Sequence, residues 1–189
     1  MNTSAPTPDP TAADPSTPAP TDLTRAADLI TAVPDHPEPG IVFRDISPLL
    51  ADGPALRAVV RELLAPFSGA FDLVAGLEAR GFLLAGYAAA LTGVGMLQIR
   101  KAGKLPAPGA RVSYDLEYGS ATIEGPDVLE PGARVLLLDD VLATGGTLAA
   151  ARTLVTDLGG TVAGAAVILD LPALDGRAVC GEVHSLFSF

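Results

Sequence analysis

Residues 135–147, Val-Leu-Leu-Leu-Asp-Asp-Val-Leu-Ala-Thr-Gly-Gly-Thr, constrain the fold more than any other stretch of this chain. Four consecutive aliphatic residues, Val135 to Leu138, read as a strand buried on both faces, which is what a parallel sheet flanked by helices requires. Asp139 and Asp140 stand where that strand is expected to end. Thr144-Gly145-Gly146-Thr147 then turns into residues 148–158, whose Ala and Leu content favours helix. Two adjacent glycines let a backbone approach an oxyanion closely, and the free N–H groups and dipole of a following helix favour negative charge. Thr144 and Thr147 add hydroxyl donors.

No lysine follows the glycines, which excludes the Gly-x-x-x-x-Gly-Lys-Ser/Thr loop of triphosphatases, and no Gly-x-Gly-x-x-Gly dinucleotide fingerprint is present. The expected ligand therefore carries one phosphate at this turn and hydroxyls for the acids. A ribose 5-phosphate fits, with Asp139 and Asp140 accepting from its 2′- and 3′-hydroxyls and the Gly145-Gly146 turn holding its phosphate.

The rest of the chain supplies an α/β context. Residues 1–21 are Pro, Thr, Ala, Ser and Asp with almost no large apolar side chain, so they are expected to form a disordered tail. Residues 22–189 are expected to form a single domain, opening with Asp22-Leu23-Thr24-Arg25 before a helical pattern over residues 26–31. Pro34, Pro37, Pro39 and Gly40 force a turn-rich approach to a short strand or edge segment, residues 41–46. Residues 56–67 read as an amphipathic helix, with Arg57, Arg61 and Glu62 wet and Val59, Val60, Leu63 and Leu64 dry. Residues 71–76 read as a strand. Gly76-Leu77-Glu78-Ala79-Arg80-Gly81-Phe82 is then a second strand-to-helix turn on the same sheet edge, suited to pyrophosphate.

Residues 81–99 carry no charge, yet Gly93 and Gly95 divide them into a helix (82–91) and a strand (96–99), which excludes a membrane span. Residues 101–119 show no sustained period and are expected to be a functional lid, ending in Tyr114-Asp115-Leu116-Glu117-Tyr118-Gly119. The alternation of that ending reads as a short strand bringing one carboxylate and two phenols to a cleft. Residues 162–169 supply one more buried strand.

With 49% hydrophobic residues in 189, the chain has enough apolar mass for one substantial core. A net charge of −10 argues against a nucleic-acid surface. Basic residues are nevertheless gathered locally, since the only two lysines are Lys101 and Lys104, beside Arg100. A single cysteine permits no internal disulfide and points to a reducing cytoplasm.

Five segments in order carry a resemblance: Pro39-Gly40-Ile41-Val42-Phe43-Arg44-Asp45, the Glu78-Ala79-Arg80 turn, Arg100-Lys101-Ala102-Gly103-Lys104-Leu105-Pro106, Tyr114 to Gly119, and Thr144 to Thr147. Together they resemble the adenine phosphoribosyltransferases, within the type I phosphoribosyltransferases, over residues 29–171. The resemblance implies a Rossmann-like domain with a central, mostly parallel sheet flanked by helices, a small adenine-covering hood and a mobile active-site loop. It implies transfer of a 5-phosphoribosyl group from phosphoribosyl pyrophosphate to N9 of adenine, with Mg²⁺ held mainly by the substrate, in a cytoplasmic homodimer that binds neither nucleic acid nor membrane.

The resemblance also distributes roles. Asp139, Asp140, Ala143, Thr144, Gly145, Gly146 and Thr147 hold ribose 5-phosphate; Glu78, Ala79, Arg80, Arg100, Lys101 and Lys104 hold pyrophosphate; Val42, Phe43, Arg44 and Leu171 hold adenine. Glu117 is the implied general acid, with Arg80 and Lys104 stabilising the leaving group. The Glu78-Ala79 peptide is expected to be strained or cis, as in the matching family turn. Transfer to a 6-oxopurine or to orotate, and a non-catalytic phosphoribosyl pyrophosphate sensor, are the competing readings.

Overall fold

The computed structural model describes residues 22–115 and 119–189. The expectations for the tail before Asp22 and for Glu117 lie outside them. In chain order the elements are α1 (Asp22–Asp28), β1 (Thr31–Pro34), β2 (Val42–Asp45), α2 (Ser47–Ala51), α3 (Gly53–Leu64), β3 (Leu73–Leu77), α4 (Gly81–Thr92) and β4 (Gly95–Lys101). There follow β5 (Pro108–Asp115), β6 (Ser120–Pro126), β7 (Arg134–Leu142), α5 (Gly146–Asp157), β8 (Thr161–Asp170), α6 (Gly176–Cys180) and β9 (His184–Ser188).

The aliphatic run does what its pattern requires. β7 lies inside a seven-stranded sheet of order β5-β6-β4-β3-β7-β8-β9, parallel from β4 through β9 and closed at one side by the antiparallel β5-β6 pair. Successive strand side chains point to opposite faces. Leu136 and Leu138 therefore join Val59, Leu63 and Leu84 of α3 and α4 in one core layer, while Val135 and Leu137 join Leu154 and Val155 of α5 in the other. These leucines are fully buried, each contributing about 2 kcal/mol. β1 and β2 stand apart as a two-stranded antiparallel hood.

Several boundaries differ from the sequence reading. The first helix covers Asp22–Asp28, and Thr31 already begins β1. α3 starts three residues early, at Gly53, because Asp52 caps it by accepting the Ala55 N–H. It ends at Leu64, before a 3₁₀ turn containing Pro66. β7 continues through the acids to Leu142 instead of stopping before them. The largest correction concerns residues 101–119: Lys101 belongs to β4, and Pro108–Asp115 is a strand paired with β6. Neither β6 nor β9 was anticipated.

Glu124 of β6 explains the shape of this edge. Its carboxylate has no solvent exposure and accepts the Lys104 and Leu105 N–H groups at 2.9 and 2.7 Å and Arg111 Nε at 3.0 Å. The turn between β4 and β5 is thus wrapped around a buried acid. These bonds, led by that of Leu105, lower its pKa from 4.5 to about 2. A depressed folded pKa means stability that is fully present above 4.5 and lost as pH falls through about 2. Replacing Glu124 by Gln is expected to lower the urea midpoint at neutral pH and to flatten part of the acid limb. An unchanged acid limb would show that the carboxylate is not ionised in the fold. Asp72, held by Arg134 and also lowered to about 2, is one of the carboxylates that supply the limb that remains.

Candidate active site

Two strand-to-helix turns meet where β3 and β7 lie side by side. At the end of β7, Asp140 continues the Leu136 and Leu138 face toward α4, and its Oδ2 accepts from Arg80 Nη1 at 2.8 Å. Asp139 Oδ1 accepts the Asp140 N–H at 2.9 Å. Burial, and next the adjacent Asp140 carboxylate, push the Asp139 carboxyl well above the usual range. Donors brought to these carboxylate oxygens would offset the cost of burying them.

The turn after the acids holds its shape through Gly145, with φ +80° in the left-handed region. A Cβ there would stand 2.2 Å from the Gly176 carbonyl oxygen, so the start of α6 buttresses the turn directly. α5 begins at Gly146 with no side chain capping its N-terminus. Its first N–H groups face the space before the helix, where an anion is favoured.

On β3 and α4, the Glu78–Ala79 peptide is cis, in line with the sequence expectation. Glu78 accepts the Lys101 N–H at 2.9 Å and lies 3.6 Å from Arg100 Nη2. The Lys101 N–H first, then the Arg100 charge, hold its carboxyl below the usual range against the opposing effect of burial. Gly81 allows the first turn of α4 to sit on β7, since a Cβ there would lie 2.6 Å from the Leu138 carbonyl oxygen. That approach is what brings Arg80 to Asp140.

Between the turns is a cavity of about 370 Å³, the size of a small-molecule site. Of the residues expected to bind ligand, Glu78, Lys101, Asp139, Asp140, Ala143, Thr144, Gly145 and Thr147 line it together. Arg80 reaches it through Asp140. The other expected residues stand further out. Arg100 is half-buried, its guanidinium 5.8 Å from the Phe82 ring centre. Lys104 is exposed on the turn that Glu124 holds.

The hood segment meets the site through arginine. The Arg80 guanidinium lies 5.1 Å from the Phe43 ring centre, so the ring expected to stack on a base faces the cation that pairs with Asp140. Arg44 lies 4.4 Å from the ring centre of Phe189, whose N–H donates to the Asp170 carbonyl. Leu171, next in the chain, donates its N–H to the Leu142 carbonyl at the end of β7. Val42, Phe43, Arg44 and Leu171 thus lie outside the lining of the cavity, on the side that Arg80 and β8 connect to it. The roles of Glu124 and Phe189 were missed. A lone acid between Ile123 and Gly125 was the available signal for Glu124, whereas nothing in the sequence ties Phe189 to Arg44.

Residues 49–178 match the model of the phosphoribosyl transferase domain family. Fold, paired acids and glycine turn together define a phosphoribosyltransferase. The adenine phosphoribosyltransferase of Clavibacter michiganensis is 60% identical over 164 residues, 86% of this chain and 91% of that protein. The crystal structure of the adenine phosphoribosyltransferase from Rhodothermus marinus superposes with a TM-score of 0.84 at 43% identity, covering 89% of this chain and 99% of that one. That of Saccharomyces cerevisiae, complexed with adenine and an imino-altritol bisphosphate, gives 0.83 at 31% identity, covering 88% and 98%. This chain belongs to the adenine phosphoribosyltransferase family.

Proposed function

We propose that the protein transfers the 5-phosphoribosyl group of phosphoribosyl pyrophosphate to N9 of adenine, giving AMP and pyrophosphate in purine salvage. The observation that carries this reading is one cavity joining Asp139, Asp140 and the 143–147 turn to Glu78 and Lys101, in a chain 60% identical to an adenine phosphoribosyltransferase. The relatives' names favour adenine over a 6-oxopurine or orotate.

The chemistry follows from the placement of the turns. Asp139 and Asp140 accept the ribose hydroxyls, and the N–H groups of the Ala143, Thr144, Gly145, Gly146 and Thr147 segment hold the 5′-phosphate. Departure of pyrophosphate leaves a cation-like C1′, so holding both partners in line and stabilising the leaving charge are the main tasks. Arg80, Arg100, Lys101 and Lys104 surround the leaving group, with the Glu78-Ala79 turn beneath it. Val42, Phe43, Arg44 and Leu171 sandwich the adenine.

Mg²⁺ would arrive with phosphoribosyl pyrophosphate, held mainly by the substrate's own oxygens in the way Mg²⁺ commonly is by phosphates, and would supply neutralisation of leaving-group charge. Asp139 and Asp140 keep the ribose hydroxyls as their partners. A homodimer is part of the proposal, resting on the family resemblance and tested by sedimentation at micromolar concentration. A cytoplasmic site of action rests on the single cysteine. Among the described residues no helix is long and apolar enough to cross a membrane.

The direct test supplies phosphoribosyl pyrophosphate, Mg²⁺ and each nucleobase in turn and follows nucleotide formation. Product with hypoxanthine or orotate but not adenine would overturn the reading. Glu117, as general acid, manages a ring proton chiefly in the transition state, so Glu117→Gln is expected to lower kcat by about 100-fold or more with little change in KM for adenine. A turnover close to wild type removes Glu117 from the role.

A further inference from the structure

We propose that Tyr114 is a positioning residue of the phosphate cradle, its phenol aiming the Thr147 hydroxyl at the 5′-phosphate while its ring backs the glycine turn. The two hydroxyl oxygens, Tyr114 Oη and Thr147 Oγ1, lie 3.0 Å apart across two elements distant in sequence, β5 and α5. Both side chains line the 370 Å³ cavity. A Cβ on Gly146 would come within 3.1 and 3.4 Å of the Tyr114 ring carbons Cδ2 and Cε2, so the ring seats closely against the glycine turn. The inference rests on the reading of residues 143–147 as a phosphate site.

Hydrogen-bond direction gives Tyr114 its function. A phosphate oxygen accepts, so Thr147 serves it only by donating its single hydroxyl hydrogen, and the lone pairs of that hydroxyl then accept from Tyr114. The ordered chain runs from Tyr114 O–H to Thr147 O–H to phosphate, each bond polarising the next. Without the phenol the Thr147 hydroxyl turns freely and pays its own ordering entropy when phosphate arrives. Occupancy of the cradle is thereby coupled to β5, the strand that leads toward Glu117.

The test titrates ribose 5-phosphate and AMP calorimetrically into full-length wild type, Tyr114→Phe, Thr147→Val and the double variant. Tyr114→Phe keeps the ring and loses the hydroxyl. It is expected to weaken ribose 5-phosphate about threefold to tenfold and to raise KM for phosphoribosyl pyrophosphate by a similar factor, with KM for adenine little changed. In the Thr147→Val background the same change is expected to cost nothing more, the signature of action through Thr147. Wild-type-like binding by Tyr114→Phe, or losses that add in full, overturns the inference alone. Failure of the wild type to bind ribose 5-phosphate overturns the phosphate cradle, and this inference with it.

Discussion

Gly145→Ala is expected to abolish AMP binding and to destabilise the fold by on the order of 3 kcal/mol, the sum of a left-handed residue bearing a side chain and an overpacked contact. The contact is with backbone: the new Cβ would stand 2.2 Å from the Gly176 carbonyl oxygen, and a peptide cannot rotate away as a side chain can. The reciprocal change, Gly176→Ala, is expected to behave alike, because its Cβ would lie 2.2 Å from the Ala143 carbonyl oxygen although Gly176 touches no expected ligand. Thermal melts with and without AMP measure both effects. Full AMP protection in either variant would mean that α6 does not set the turn.

Replacing Asp139 and Asp140 together by Asn is expected to weaken AMP and phosphoribosyl pyrophosphate binding by about 100-fold or more, from the loss of two charge-assisted pairings of about 1.5–3 kcal/mol each. Asp139→Asn alone is expected to raise the melting temperature at neutral pH. The sign follows from the pKa. Asp139 is raised above its ordinary 3.8 in the fold by burial and by Asp140, so its ionised form penalises the folded state as pH rises above 3.8, until the elevated value is passed. Asn removes the penalty, and the gain shrinks on acidification toward 3.8. Asp140→Asn strips Arg80 of its partner and carries no such gain. A lower melting temperature for Asp139→Asn would refute the strained pair; unchanged affinity in the double variant would refute the ribose assignment.

Legibility in the sequence tracked locality. The strand, acids, glycine turn and helix of residues 134–157 are contiguous, and their residue types specify both geometry and ligand, so sequence sufficed. β5 escaped because its first residues, Pro108 and Gly109, are poor strand formers, and its stability comes from pairing with β6, which was not anticipated either. Glu124 is indistinguishable in sequence from a solvated acid; what buries it are donors from residues 104, 105 and 111. Tyr114 was placed at the cleft, but its bond to Thr147 joins β5 to α5, 33 residues apart in sequence, and leaves no local trace. Arg80 shows the same limit, since its assignment to pyrophosphate did not anticipate Asp140 and Phe43 as its neighbours.

Those neighbours have a consequence for how the site responds to its solvent. Arg80 is paired with Asp140, Arg100 with Glu78, and Arg111 with Glu124, so three arginines of this region carry internal counter-ions. A bare cluster of cations would gather mobile anions and release them on binding, giving affinity that falls steeply with added salt. Here an arriving phosphate shares or displaces a tethered carboxylate, and few dissolved ions change place. Affinity for a highly charged substrate is then expected to vary gently with ionic strength, and to depend on the matching of fixed groups.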